Sequence, residues 1–203
     1  RIALPTYYDS RDEGLITQVK DQNPWNTCWA FSAISLMETA AIKAGLADNS
    51  ADYSESHFAY FFYHRISNPL GNTMGDSNHT RENNFIDAGG NVWLSTHALA
   101  SQVGAANENI APYSEVSYSM ALDAGIAYED EVVLKNSYLL NDNEIEIKQA
   151  IMEYGAVSLS YNYQDQYYNA ETAAYYSPEL GVNHATVIVE WDDSYSRNNV
   201  IPD

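Results

Sequence analysis

The chain contains one cysteine, Cys28, and it lies where a polar loop changes into an apolar helical segment. A single cysteine excludes an intrachain disulfide, so the 203 residues must be held together by their own hydrophobic core. The apolar residues around and after Cys28 recur at helical spacing and predict a helix over 27–45, with Gly45 as its C-terminal stop. A lone thiol is either a small buried hydrophobe or a reactive group.

The composition predicts a folded globular protein with a strongly acidic surface. Hydrophobic residues make up 45% and charged residues 18%, and 28 acidic against 9 basic side chains leave a net charge of −19. Such a surface repels phosphate backbones and anionic lipids, so nucleic acid and membrane-surface partners are not expected. The sequence has no apolar run long enough to predict a membrane span.

A second helix is predicted after Ser54, whose hydroxyl is suited to the N-cap position. His57 and His64 lie on this helix and are interpreted as ordinary surface histidines. Two histidines without a third ligand do not make a metal site, so no metal is predicted.

Helices dominate the first half of the chain and strands the second. A third helix is predicted to end at Gly104, and a fourth to be capped by Asn143 with Glu146 as its capping-box partner. Residues 105–140 predict turns and short strands. The segments AVSLSYN and HATVIVEW alternate as strands do. The order of elements predicts an α+β protein.

The predicted position of Cys28 suits a nucleophile. The free N–H groups and the dipole at a helix N-terminus favour the thiolate, which is the reactive form. Gln22 lies six residues upstream, and its side-chain amide is suited to donate to the oxyanion of a tetrahedral intermediate. A nucleophile of this kind also needs a base.

The segment LPTYYDSRDEGLITQVKDQNPWNTCWAFSAISLMET resembles the start of a mature papain-like cysteine protease, the family of the cathepsins. The matching positions are Pro5, Asp9, Arg11, Gly14, Val19, Lys20, Gln22 and the run Cys28-Trp29-Ala30-Phe31-Ser32. This resemblance implies a cysteine endopeptidase in which Cys28 attacks the peptide carbonyl and Gln22 holds the oxyanion. It implies no metal and no organic cofactor.

The resemblance continues through the rest of the chain. GVNHATVIVEW is similar to the family's strand that carries the base, which makes His184 the candidate general base and Asn183 its usual neighbour. DAGGN is similar to the family's Gly-Gly segment, so Gly89 and Gly90 are expected to pair with an extended peptide because no side chain blocks its approach. Val182 is expected to line a substrate pocket.

The implied fold is a papain-like α+β fold with two lobes in a single domain over 1–203. A helical lobe is expected over 22–125, and an antiparallel β lobe over 126–203 together with 1–21. Extended peptide would bind in the cleft between the lobes.

Three departures from the family pattern modify this expectation. Trp25 and Asn26 replace the family's usual Cys and Gly before the nucleophile, and the loop disulfide is lost. The family's Asn-Ser-Trp motif, whose Asn orients the base, has no match, and Asn198 and Asn199 follow a polar segment instead of a strand. The β lobe is therefore expected to be incomplete, with a C-terminal fragment as the partner that completes it.

The resemblance also implies a location and leaves alternatives. The lack of disulfides suggests a bacterial branch, secreted or at the cell surface, with a prosegment removed before Arg1–Leu4. The first alternative is an inactive papain-like binding or scaffold module, which the missing Asn motif favours. The second is a Cys-dependent transpeptidase or ligase on the same fold.

Overall fold

The computed structural model describes residues 3–64 and 84–200, which form helices and short antiparallel strands. The helices are α1 (Cys28–Lys43), α2 (Glu55–Tyr63), α3 (Val92–Ala100) and α4 (Glu144–Tyr154). The strands are β1 (Tyr7–Asp9), β2 (Val157–Tyr161), β3 (Tyr168–Asn169), β4 (Ala174–Tyr175), β5 (His184–Ile188) and β6 (Glu190–Asp192). The predicted α+β class is confirmed.

Helix α1 ends where the sequence predicts. Gly45 has φ +70°, and its N–H donates to Ile42 O while that of Leu46 donates to Ala41 O, both at 2.9 Å. This is the Schellman arrangement, in which a left-handed residue lets two backbone N–H groups bind the last helical carbonyls.

Helix α3 ends earlier than the sequence predicts. Its last residue is Ala100, and Gln102 takes the left-handed conformation at φ +60°. The N–H of Gln102 then donates to Leu99 O and that of Val103 to Ala98 O, which closes a second Schellman arrangement. The prediction of Gly104 was wrong because a non-glycine residue supplies the left-handed turn.

The predicted N-caps of α2 and α4 are confirmed. Ser54 Oγ accepts from His57 N at 2.9 Å. Asn143 Oδ1 accepts from the N–H groups of Ile145 and Glu146 at 3.0 and 3.1 Å. The capping box is not formed, because the Glu146 carboxylate accepts from the Asn141 side chain instead.

His57 is a core residue and not a surface histidine. Its side chain is 0% exposed, and its Nε2 lies 2.8 Å from the carbonyl oxygen of Ile126. Burial lowers its pKa. His64 is half-buried and stacks on Tyr60 with ring centroids 3.7 Å apart. Both surface assignments were wrong because the aromatic residues of α2 are buried on all sides of the helix.

Residues 105–140 contain 3-10 turns where short strands were predicted. The turns span Glu108–Ile110, Tyr113–Glu115 and Ala124–Ile126, and only isolated bridges pair within this described stretch. Two of these turns are capped by Asn or Asp side chains that accept from the N–H two residues later. Such local bonds favour turns over strands.

The strands form antiparallel pairs. Within the described residues β2 pairs with β5, β1 with β6, and β3 with β4. HATVIVEW, predicted as one strand, is two strands in two sheets: Val189 separates β5 from β6, and its carbonyl accepts from Ser10 N. The N-terminal β1 is thereby paired with β6, which lies late in the chain. The boundaries of the two predicted lobes stay a prediction.

The buried core lies around α1 and α2 and includes residues of α3 and of the segments between them. The β2–β5 sheet packs on α1 and is less covered, since every residue of β5 is only half-buried. None of the described helices is long and apolar enough to cross a membrane.

Candidate active site

Cys28 is the first residue of α1, and its thiol is half-buried and free. Thr27 occupies the N-cap position, but its hydroxyl lies 2.6 Å from Tyr113 OH and caps no helix N–H. The first turn of α1 carries no acidic side chain. The positive end of the helix dipole is therefore left to act on the thiol.

Trp29 anchors the start of α1 in the core. Its side chain is 2% exposed, and ring centroids of Phe58, Phe62 and Tyr63 on α2 lie 4.9–6.0 Å from it. Because Trp29 follows Cys28 in the first turn, this packing fixes the position of the N-terminus of α1.

Gly90 lies against this tryptophan, and Gly89 precedes Gly90 in the chain. A Cβ on Gly90 would stand 2.5–2.7 Å from Cγ and Cε2 of Trp29, closer than real contacts allow. The Trp29 ring therefore occupies the space that a side chain at position 90 would need. Gly89 is needed for its φ of +74°, and its carbonyl accepts from Tyr63 OH at 2.5 Å. Pairing of these glycines with substrate stays a prediction.

Gln22 is held on the loop that leads into α1. Its Nε2 donates to Trp25 O at 2.7 Å, and its backbone carbonyl accepts from Tyr113 OH at 2.7 Å. One amide hydrogen of Gln22 is therefore engaged, and within the described residues the other makes no hydrogen bond. The oxyanion role of Gln22 stays a prediction. Burial raises the pKa of Tyr113 to about 12, so its hydroxyl stays protonated and able to donate. The sequence does not indicate this role of Tyr113.

A polar clamp joins the loop before Cys28 to the glycine segment. Asn26 Nδ2 donates to Asp87 Oδ1 at 3.3 Å, and Asn26 N donates to Ile86 O at 3.0 Å. Tyr118 OH donates to the other Asp87 oxygen, and its ring meets that of Trp25 edge-on at 5.2 Å. We define Trp25, Asn26, Asp87 and Tyr118 as the loop clamp.

His184 is the first residue of β5, and α1 packs against this strand. Ser32, one turn after Cys28, donates from Oγ to Thr186 O at 3.0 Å. Its Oγ also lies 2.7 Å from Ser158 Oγ on β2. These bonds bring the first turn of α1 to the sheet on which His184 lies.

Tyr161 contacts His184, and its pKa responds to the Cys28 thiol. It pairs with His184 across β2 and β5, with ring centroids 5.6 Å apart. Burial, the nearby Tyr163 and Tyr175, and the Cys28 thiol all raise the pKa of Tyr161. Burial lowers the pKa of His184. Among the described residues no hydrogen bond joins Cys28 to His184, so their pairing stays a prediction.

Asn183 and Val182 differ in exposure and contacts. The Asn183 side chain accepts from Tyr163 N at 2.7 Å and donates to Tyr163 O at 2.8 Å. Val182 is 70% exposed beside it. Their roles toward substrate stay predictions, as does any part for Asn198 and Asn199, which lie in a 3-10 turn.

The Papain family cysteine protease model matches residues 4–59, which include the Cys28 motif and α1. Solved structures of such proteases share the arrangement of helices and antiparallel strands over nearly the whole chain. The resemblance to papain-like cysteine proteases is confirmed, and so is the papain-like α+β fold.

Three of the similar proteins show how far this likeness extends. Stem bromelain of Ananas comosus is 47% identical over 47 residues, which are 23% of this chain and 22% of bromelain. The cysteine protease and lectin-like domains of Cwp84, a surface layer associated protein of Clostridium difficile, superpose with TM-score 0.72 and 24% identity. They align with 99% of this chain and 42% of theirs.

Digestive procathepsin L 3 of Tenebrio molitor has TM-score 0.66 and 18% identity, over 95% of this chain and 57% of its own. The chain thus corresponds to about half the length of these solved proteins.

Proposed function

We propose that the chain is the main part of a cysteine endopeptidase that hydrolyses peptide bonds through Cys28 and His184. The observation that carries this proposal is the packing of the first turn of α1 on the β2–β5 sheet, in which His184 is the first residue of β5. The family motif around Cys28 supports its proposed role as the nucleophile.

In the proposed reaction the Cys28 thiolate attacks the scissile carbonyl and forms a tetrahedral intermediate. The free amide hydrogen of Gln22 and the backbone N–H of Cys28 bind its oxyanion. The His184 imidazolium gives its proton to the leaving amine as the carbon–nitrogen bond breaks. Neutral His184 then takes a proton from water, whose oxygen attacks the thioester and releases the acid and the thiolate.

The proposed substrate is an extended peptide or protein segment. Gly89 and Gly90 would present backbone to it, and the exposed Val182 and Asn183 would form the opposite wall. The net charge of −19 favours basic over acidic peptides in the first encounter.

Two partners follow from the same proposal. A C-terminal segment would cover the half-exposed β2–β5 sheet and complete the β lobe. A prosegment would precede activation, as the procathepsin structure supports. A bacterial, secreted or surface location is supported by the likeness to a surface layer associated protein.

The test is peptide hydrolysis by the intact protein that contains this chain. We expect Cys28→Ala and His184→Ala each to lower kcat/KM by at least about a thousandfold, because nucleophile and base act as one unit. His97→Ala removes an exposed histidine on α3 and is the matched control, with activity unchanged. Full activity in Cys28→Ala would contradict the proposal.

Iodoacetamide separates the proposal from an inactive binding module. A thiolate paired with an imidazolium reacts quickly at pH 5, whereas an unactivated thiol does so slowly. We expect rapid alkylation of Cys28 that slows at least tenfold in His184→Ala. Products formed with an added amine acceptor would instead indicate a transpeptidase or ligase.

A further inference from the structure

Three tyrosines form a cluster beside His184. Tyr161 and Tyr163 each approach the imidazole, with ring centroids 5.6 and 5.8 Å from it and interplanar angles of 73° and 49°. Tyr175 stacks on Tyr163 at 5.3 Å and meets Tyr161 edge-on at 5.5 Å. We call these three residues the tyrosine cluster.

The cluster is held in place by hydrogen bonds between side chains and backbone groups near the ends of the strands. The Asn183 side chain binds both the N–H and the carbonyl of Tyr163, which continues the β2–β5 ladder past its last pair. Tyr175 OH donates to Asn162 O and accepts from Gln164 N at 3.0 Å. The ring of Tyr163 is therefore fixed on one side by the ladder and on the other by Tyr175.

The described contacts of the His184 imidazole are with two of these rings. Within the described part of the chain neither ring nitrogen of His184 makes a hydrogen bond, and its ring contacts are those with Tyr161 and Tyr163. All three tyrosines are half-buried and stand apart from the core around α1 and α2. Loss of one ring should therefore disturb the surroundings of His184 more than the core.

We propose that the tyrosine cluster positions the His184 imidazole for proton transfer. Tyr161 and Tyr163 restrict rotation of the imidazole by ring contacts, and Tyr175 supports Tyr163 from behind. They are positioning residues, since they act through His184. The inference rests on the proposed peptidase function.

Substitutions at Tyr163 in the intact protein test this role. Tyr163→Phe keeps the ring and should retain at least half of the wild-type kcat. Tyr163→Leu removes the ring contact and should lower kcat by about 10- to 100-fold, while KM changes less than about threefold. Tyr176→Leu removes an exposed tyrosine of the same segment outside the cluster and should leave both parameters unchanged.

A second variant, Tyr175→Leu, and thermal unfolding of each variant distinguish a loss of folding from a loss of His184 positioning. Tyr175→Leu leaves both ring contacts to His184 in place and removes only their support, so kcat should fall by less than in Tyr163→Leu. Wild-type kcat in a folded Tyr163→Leu protein would overturn the inference. So would a Tyr163→Phe protein as impaired as Tyr163→Leu, since the hydroxyl would then be the active group.

The rate of Cys28 alkylation by iodoacetamide at pH 5 tests the positioning role independently of peptide cleavage. A wild-type protein that alkylates quickly but cleaves no peptide would contradict the peptidase and leave the positioning role testable. In that case we expect Tyr163→Leu to slow alkylation about tenfold and Tyr163→Phe to leave it within about twofold. Equal rates in all three proteins would overturn the inference.

Discussion

At the scale of single residues, the contact between Trp29 and Gly90 explains why position 90 is a glycine. Trp29 fills the space that a side chain at position 90 would need. The φ of Gly90 lies outside the left-handed region, so the requirement for glycine there is steric.

Gly90→Ala should destabilise the protein by about 1–3 kcal/mol, because the new methyl group meets a buried ring that cannot yield without disturbing α2. The measurement is urea unfolding together with near-ultraviolet circular dichroism of the tryptophans. Peptidase activity should fall with it, since Trp29 adjoins Cys28.

Gly45→Ala is the control for this substitution. Gly45 has φ +70° with no atom within 4 Å of an added Cβ, so its cost of about 1–2 kcal/mol arises from backbone strain alone. Its tryptophan signal and kinetics should match the wild type. An unchanged tryptophan signal in Gly90→Ala would contradict the steric account.

At the scale of elements, the loop clamp connects the segment before α1 to the segment before α3. Asp87 receives hydrogen bonds from Asn26 and Tyr118 and so holds Trp25 beside the same tyrosine. Trp25, which replaces the family's usual Cys, is one of the clamp residues. Because the clamp contacts are exposed, they should order the loop more than they stabilise the whole fold.

Asp87→Ala should raise KM for peptides about three- to tenfold while the free energy of unfolding changes by about 1 kcal/mol or less. The physical reason is a looser loop around Gln22 and Cys28. Asp12→Ala is the matched control, because Asp12 also accepts an exposed hydrogen bond, from Tyr7 OH at 3.4 Å. Equal kinetics in the two variants would show that the clamp does not order the site.

At the scale of the whole molecule, a partly buried ionic network joins the N-terminal segment to the helices. Lys20 Nζ lies 2.8 Å from Glu38 Oε1, 3.0 Å from Glu55 Oε1 and 2.8 Å from Asp52 Oδ1. The Lys20 ammonium thus pairs with three carboxylates. Burial alone would lower the pKa of Lys20, but the three carboxylates together raise it. Burial raises the pKa of Glu55 to about 7, since it outweighs the attraction of Lys20.

The contribution of Glu55 to the free energy of unfolding should therefore fall as pH rises from about 5 to 7. Between the unfolded value near 4.5 and the folded value near 7, folded Glu55 binds more protons than unfolded Glu55, so stability is greater at the acidic end. The contribution of this group is at most about 1.4 kcal/mol per pH unit. The net charge of −19 acts in the same direction through self-repulsion.

Urea unfolding at pH 5, 6 and 7 measures this slope. Glu55→Gln should make it shallower, because the group that takes up the proton is removed. Glu13→Gln changes an exposed carboxylate and should leave the slope as it is. Equal slopes in the wild type and in Glu55→Gln would contradict the assignment to Glu55.

The sequence by itself determined the elements whose signals are local. The Cys28 motif, the helical spacing after it, Gly45 as a stop and the Ser54 and Asn143 caps all depend on residues within about one helical turn of each other. These signals suffice for the α+β class and for naming Cys28 and Gln22 as candidates, whereas the papain-like fold and the candidate His184 were implied by the resemblance to the family.

Only the tertiary structure decided which side chains surround those candidates. Asp87 meets Asn26 from 61 residues away, and Thr27 meets Tyr113 from 86. The burial of His57 and the break at Val189 likewise depend on chain segments distant in sequence. With 17 tyrosines in the chain, nothing local separates those beside His184 from the rest. Burial and pairing across such distances are set by packing of the whole chain, which no local pattern encodes.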